Sequence, residues 1–212
     1  IIHAKGIVGN ITLYTIGFMP QDPNAWQGKG MKWNLRGEGV AESYDCRDIV
    51  LHAAHEHGFY IDNHLSDSFL MRITGGNMGR TLIQMTNRKQ SGPESKGVLV
   101  IAQCVATDCG GQGGSDFTIV GNGEDPIYFI GNKSIGSTQG SFVHWTDKGH
   151  GAYYTQEGFS SSMLTIHDFE VNCPNADRDH MMISGVENVV ISDWDITGNR
   201  PAMGLDSPDG GG

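Results

Sequence analysis

Short apolar, β-branched segments recur along the whole chain, and turn-forming residues separate them: DIVLHAA, FYIDN, FLMRIT, TLIQMT, VLVIAQC, DFTIVG, PIYFIG, SFVHWT, AYYTQ, MLTIHDF, HMMISG and NVVISDW. Each is too short for a stable helix, and Gly, Asn, Asp or Ser between them supplies turns and positive φ, so they read as strands. The phrases repeat every twenty to thirty residues or so, which is the mark of a solenoid. An antiparallel sandwich would require hairpin turns of about two to five residues, and several linkers here are longer. The expected fold is all-β: a right-handed single-stranded parallel β-helix. Inward residues are expected at alternate positions, such as Val189 with Ile191 and Met181 with Ile183.

Composition agrees with many tight turns: 31 glycines stand against 7 prolines in 212 residues. Charged residues make up only 18%, and uncharged polar side chains do much of the solvation, as on extracellular and carbohydrate-facing surfaces. With 24 acidic against 14 basic residues, the net charge of −10 argues against a nucleic-acid partner, which needs a basic footprint. No run of apolar residues is long enough to span a membrane. The four cysteines, Cys46, Cys104, Cys109 and Cys173, match no common zinc spacing and read as buried free thiols. His52, His55 and His57 in HAAHEHG read as strand, turn and strand, with a metal site as the rival reading.

Residues 1–212 read as one β-helix domain with two insertions, a Pro- and Gly-rich loop at 20–37 and a charged one at 86–97. The LRGEG phrase from Leu35 is of the kind that opens a coil. Neither end carries an evident polar cap, so the expectation is a piece of a longer chain or a protomer capped by neighbours.

From Ser162 to Asn199 the sequence resembles the pectate-lyase-like β-helix superfamily, which includes polysaccharide lyases, polygalacturonase-type hydrolases and phage tailspike depolymerases. The phrase DHMMISGVENVVIS is similar to the Asp-Gly-Ile-x-Ile-x-Gly-x-x-Asn-Val-x-Ile coil of the polygalacturonase-type enzymes. That match makes Asp179 the counterpart of the aspartate opening the family motif. The hydrolases' adjacent aspartates would fall near Arg200 and Pro201, and Gly149-His150-Gly151 precedes the motif where the family has it later. The pectate lyases' calcium segment would fall on NVVISD, where Ser192 and Asp193 replace Asp and His. A lyase base would have to be Arg178 or Arg200.

An acidic cluster remains: Asp177, Asp179, Asp193, Asp195, Asp206 and Asp209. Residues one coil apart lie side by side in a β-helix, so Asp179 and Asp195 are the expected acid and base, with Asp177 or His180 assisting. Trp145, Tyr153, Tyr154 and Trp194 are candidate sugar-stacking rings, Trp194 at a surface turn. Arg178 and Arg200 are candidate substrate contacts. Asp206 and Asp209 are candidate Ca²⁺ ligands, and no other cofactor is implied. The resemblance implies a polysaccharide partner, an extracellular, cell-surface or virion location, and a homotrimer. The rival expectation is a non-catalytic structural or adhesive β-helix.

Overall fold

A computed structural model describes residues 8–14, 35–37, 42–52, 57–61, 63–86, 95–111, 114–120, 125–145, 161–183, 186–200 and 203–205. In these residues sixteen strands and no helix occur, and every strand pairing is parallel. The strands are β1 (Val8–Tyr14), β2 (Leu35–Gly37), β3 (Asp45–His52), β4 (Phe59–Ile61), β5 (Ser68–Gly76), β6 (Ile83–Thr86), β7 (Leu99–Ala102) and β8 (Val105–Thr107). They continue with β9 (Phe117–Val120), β10 (Ile127–Ile130), β11 (Lys133–Ile135), β12 (Phe142–Trp145), β13 (Ser161–Cys173), β14 (Met181–Ile183), β15 (Val186–Gly198) and β16 (Met203–Leu205).

They form two sheets. The first follows β1-β3-β5-β7-β10-β13, with β15 on β13 and the short β8 and β11 continuing the rungs of β7 and β10; the second follows β2-β4-β6-β9-β12-β14-β16. The chain thus alternates between sheets while each sheet advances one rung per circuit, which is the β-solenoid expected from the repeating strand phrase. Hydrogen-bonded neighbours lie 24 residues apart at Asp48 and Arg72, 28 at Cys104 and Asn132, and 25 at His167 and Ser192. The spacing widens to 31 residues where the 86–97 insertion lies, so that insertion lengthens one coil. Most of it, and most of the 20–37 loop, lies outside the described residues; Leu35–Gly37 itself is strand.

A sharp corner divides the first sheet. Asp48, Arg72, Gln103, Gly131, Asp168 and Asp193 all have φ between 51° and 64°, and the register on either side places them in one column. A left-handed residue turns the chain without ending the ladder, and it resets the alternation of side chains. In β13, Leu164 and Ile166 point inward before the corner, and Phe169 and Val171 point inward after it. A second left-handed column, Asn77, Asp108 and Gly136, ends the same rungs on the other side.

The core is apolar along most of its length. Phe117, Phe129, Phe142 and Phe169 are fully buried, with Phe129 at 5.1 Å from Phe117, 4.6 Å from Phe142 and 5.1 Å from Phe169, ring centre to ring centre. Each buried ring contributes roughly 2–3 kcal/mol by leaving water. Asn132 interrupts the inward column between Cys104 and Phe169. Its Oδ1 accepts from the Cys104 N–H at 2.9 Å and its Nδ2 donates to the Ile101 carbonyl at 2.9 Å, so the corner is bridged from inside. The four cysteines are free, and Cys104, Cys109 and Cys173 are buried. Burial pushes the Cys104 thiol up to about 12, which makes it inert packing rather than a nucleophile.

A polar seam runs inside the coil just ahead of the second sheet. The register stacks Leu82, Asp116, Ser141 and His180 in one column, all fully buried and the last three polar. The Asp116 carboxylate accepts from the Ser134 hydroxyl, while its Oδ1 has no partner. Cys173 Sγ lies 3.3 Å from Ser134 Oγ and accepts from the Ser137 N–H at 3.2 Å. Burial raises the Asp116 carboxyl to about 7, against the hydrogen bonds from Ser134 and Ser137 that favour its anion.

Two outcomes follow from this core. The native state holds the Asp116 proton more tightly than the unfolded chain, so its stabilising contribution is complete below pH 4 and is lost as pH rises towards 7. Asp116→Asn is therefore expected to gain stability on the wild type as pH goes from 4 to 8, by on the order of 4 kcal/mol, in urea unfolding monitored by circular dichroism. Asn132→Ala strands a buried N–H and a buried carbonyl, and should lower unfolding free energy by about 3 kcal/mol in the same measurement.

Candidate functional site

The outer face of the corner carries the densest set of charged groups among the described C-terminal coils. Asp168 is in the left-handed column beside Asp193, and two residues further along the strand Glu170 is in register with Asp195. Side chains at these positions point outward because their neighbours Phe169 and Val171 point inward, a direct consequence of the corner's reset phase. Neighbouring strands stand about 4.8 Å apart. Four carboxylates therefore occupy two adjacent rungs.

Their partners are basic groups on the same face. Lys133, one rung below Glu170, forms an ion pair with it, and that pairing raises the Lys133 ammonium. His167 Nδ1 lies 3.0 Å from Ser192 Oγ and 3.1 Å from Asp193 Oδ2. Serine and carboxylate thus meet the same ring nitrogen. A hydrolytic triad needs them on opposite nitrogens, so this constellation is not one. Further down the column, Arg72 Nη2 donates to Asp48 Oδ2 at 2.8 Å.

The expected pairing of Asp179 with Asp195 is not met by the register. Asp195 is beside Glu170, whereas Asp179 is on the turn after β13, two residues ahead of Met181, which pairs with Met203. The two aspartates are separated by less than one coil, so they fall on different sides of the circuit. Asp177 and Arg178 are exposed on the same turn, where the Asp177 N–H donates to the Thr138 carbonyl at 2.9 Å. Arg200 Nε donates to the Ala176 carbonyl at 3.3 Å, which ties two coils together.

His180 is no surface assistant to Asp179. It is completely buried, neither ring nitrogen has a hydrogen-bond partner, and it occupies the space that a Cβ on Gly198 would take. Burial lowers its pKa, with Asp179 pulling weakly the other way.

Trp194 is also placed differently from the surface turn expected of it. It lies within β15, in register with the buried Phe169, and belongs to the inward column; it is 44% exposed because β15 is the last described rung. Tyr153, Tyr154, Asp206 and Asp209 lie outside the described residues, as does the side chain of Trp145. Among the described residues no group of three or more His, Cys, Asp and Glu has the arrangement to hold a metal ion. No described helix is long and apolar enough to cross a membrane.

Glu170, Asp168 and Lys133 were not singled out from the sequence as site residues. The signal that would have found them is the coil length: counting back 25 residues from Asp195 reaches Glu170. The buried His180 yields a test of its own. Its contribution to stability is complete above the ordinary histidine range and is lost as pH falls through that range towards the lowered value. His180→Leu should therefore be more stable than the wild type at pH 5 by a wider margin than at pH 8, in thermal unfolding at the two pH values. Comparison with protein-family models, with curated proteins and with solved structures finds no match to this chain.

Proposed function

We propose that this chain is an extracellular or virion-associated carbohydrate-active β-helix of the pectate-lyase-like kind, which binds a polysaccharide along the outer corner of its last coils and cleaves it. The observation that carries this reading is the register of Glu170 with Asp195, two outward carboxylates on adjacent rungs. A rung spacing of about 4.8 Å suits the carboxyl separation of about 5–5.5 Å used by retaining glycosidases. One carboxyl protonates the departing glycosidic oxygen while the other attacks the anomeric carbon. Water then releases the sugar, with the first group acting as base. Lys133 holds Glu170 in place, and Asp168 and Asp193 line the next positions along the same rungs.

A second reading, a non-catalytic structural or adhesive β-helix, is favoured by one observation. Glu170 is engaged by Lys133 and Asp193 by His167 across rungs, so the same acids stitch coils together. The two readings separate in one assay, with the purified chain incubated with a panel of neutral and uronate-containing polysaccharides. New reducing ends report hydrolysis, and unsaturated uronate absorbance reports elimination. Glu170→Gln and Asp195→Asn are each expected to lower kcat at least about 100-fold with the fold intact. Cleavage unchanged in both variants overturns the assignment of this pair, and no cleavage of any polysaccharide by the wild type favours the structural reading.

A further inference from the structure

Basic groups on this molecule divide by position. Arg47, Arg72 and Lys133 lie on the first sheet, and each is paired with a carboxylate, that of Asp45, Asp48 and Glu170 in turn. Arg80, Arg178 and Arg200 are exposed on the turns that lead into the second sheet, and none of them forms an ion pair among the described residues. Arg80 and Arg178 make no side-chain hydrogen bond there either, so cohesion between coils does not account for them. Unpaired guanidiniums gathered on one flank stand out in a chain of net charge −10.

The register puts them in one line. Arg80 is three residues ahead of Ile83, Gly114 ahead of Phe117, Gln139 ahead of Phe142, Arg178 ahead of Met181 and Arg200 ahead of Met203, and those strand residues pair in that order. Contacts within the turns keep the line. A Cβ on Gly114 would lie 3.4 Å from Arg80 Cβ, and one on Gly140 would lie 3.9 Å from Arg178 Cβ. With rungs about 4.8 Å apart, Arg178 and Arg200 are one rung from each other, and Arg80 is about 14 Å from Arg178. Gly114 leaves a gap between them, and the Gln139 amide offers both a donor and an acceptor. Arg200 is held on the line by its Nε bond to the Ala176 carbonyl.

A guanidinium presents a flat fork that takes an anionic group through two parallel hydrogen bonds. Forks in single file along the solenoid axis suit a linear ligand with negative groups at intervals of a rung or a small multiple of it. A pyranose ring in an extended glycan advances by roughly one rung. Nucleic acid fits poorly, because Asp177 and Asp179 flank Arg178 and a phosphate at every unit needs a denser basic footprint. We propose that this arginine column is a binding ridge for an acidic glycan. Its carboxylate or sulfate groups seat on Arg178 and Arg200 at one end and on Arg80 at the other, and the sugar rings between them cross Gly114 and Gln139. The ridge is separate from the corner pair Glu170 and Asp195, so binding there does not depend on whether that pair cleaves anything.

The test is isothermal titration calorimetry on the full 212-residue chain. The probes are oligogalacturonate, a sulfated dextran oligosaccharide, a neutral cello-oligosaccharide and oligodeoxythymidylate. The wild type is expected to bind an acidic glycan, more weakly as salt rises, and the tighter of the two identifies the anionic group. Arg80→Ala and Arg178→Ala should each weaken that binding about five- to ten-fold. Lys96→Ala removes an exposed charge on a different turn and should leave it unchanged, as should Glu170→Gln. Circular dichroism establishes that each variant keeps its strands. The inference is overturned if neither acidic glycan binds, if the arginine variants bind like the wild type, or if Lys96→Ala loses as much as they do. Equal affinity for the neutral oligosaccharide or for oligodeoxythymidylate overturns it as well. Ridge binding by a chain that cleaves no polysaccharide sustains the ridge and removes only the corner assignment.

Discussion

One backbone constraint orders everything else in this molecule: a residue with positive φ at the same place in coil after coil. Each such residue, unless glycine, costs about 1 kcal/mol in the left-handed region. Asp48, Arg72, Gln103, Asp168 and Asp193 accept that cost, and Gly131 avoids it. The cost is offset because the turn leaves the parallel ladder unbroken on both sides, so two straight faces share one set of rungs. Where the inward residue behind the corner is polar, as at Asn132, its amide satisfies the backbone of the coil below.

The corner also decides which side chains are exposed for chemistry. By inserting one extra outward residue in the left-handed conformation, it places Trp194 inward on Phe169 and turns Asp195 outward beside Glu170. Acids that are scattered in sequence become a compact outward set on two rungs. Lys133 and His167 are drawn to the same face.

The interior carries an opposing pair of titrating groups. Asp116 and His180 occupy one column, separated by Ser141, and both are buried. Asp116 favours a protonated native state and His180 favours a neutral one, so acidification relieves the first and burdens the second. Stability of this coil stack consequently depends on pH from inside the core as well as from its acidic surface.

The repeat of short β-branched phrases was enough to specify a parallel solenoid, because only stacking can bury one narrow apolar stripe per coil. Alternation within a straight segment was equally legible: Val189 with Ile191, and Met181 with Ile183, share the inward face as their spacing requires. Lateral pairing was not legible. Coil length varies from circuit to circuit, so counting back from Asp195 reaches Glu170 only once the 25-residue length of that coil is known, and the sequence alone pairs Asp195 with Asp179 instead. Nor could the sequence alone assign Trp194 or His180, since a left-handed residue resets the alternation and a polar residue before a strand reads as a turn. The amino-acid pattern by itself determined the kind of fold, through a local property, the period of apolar residues. Tertiary structure alone decided which residues meet, because contacts between coils depend on the summed length of everything in between.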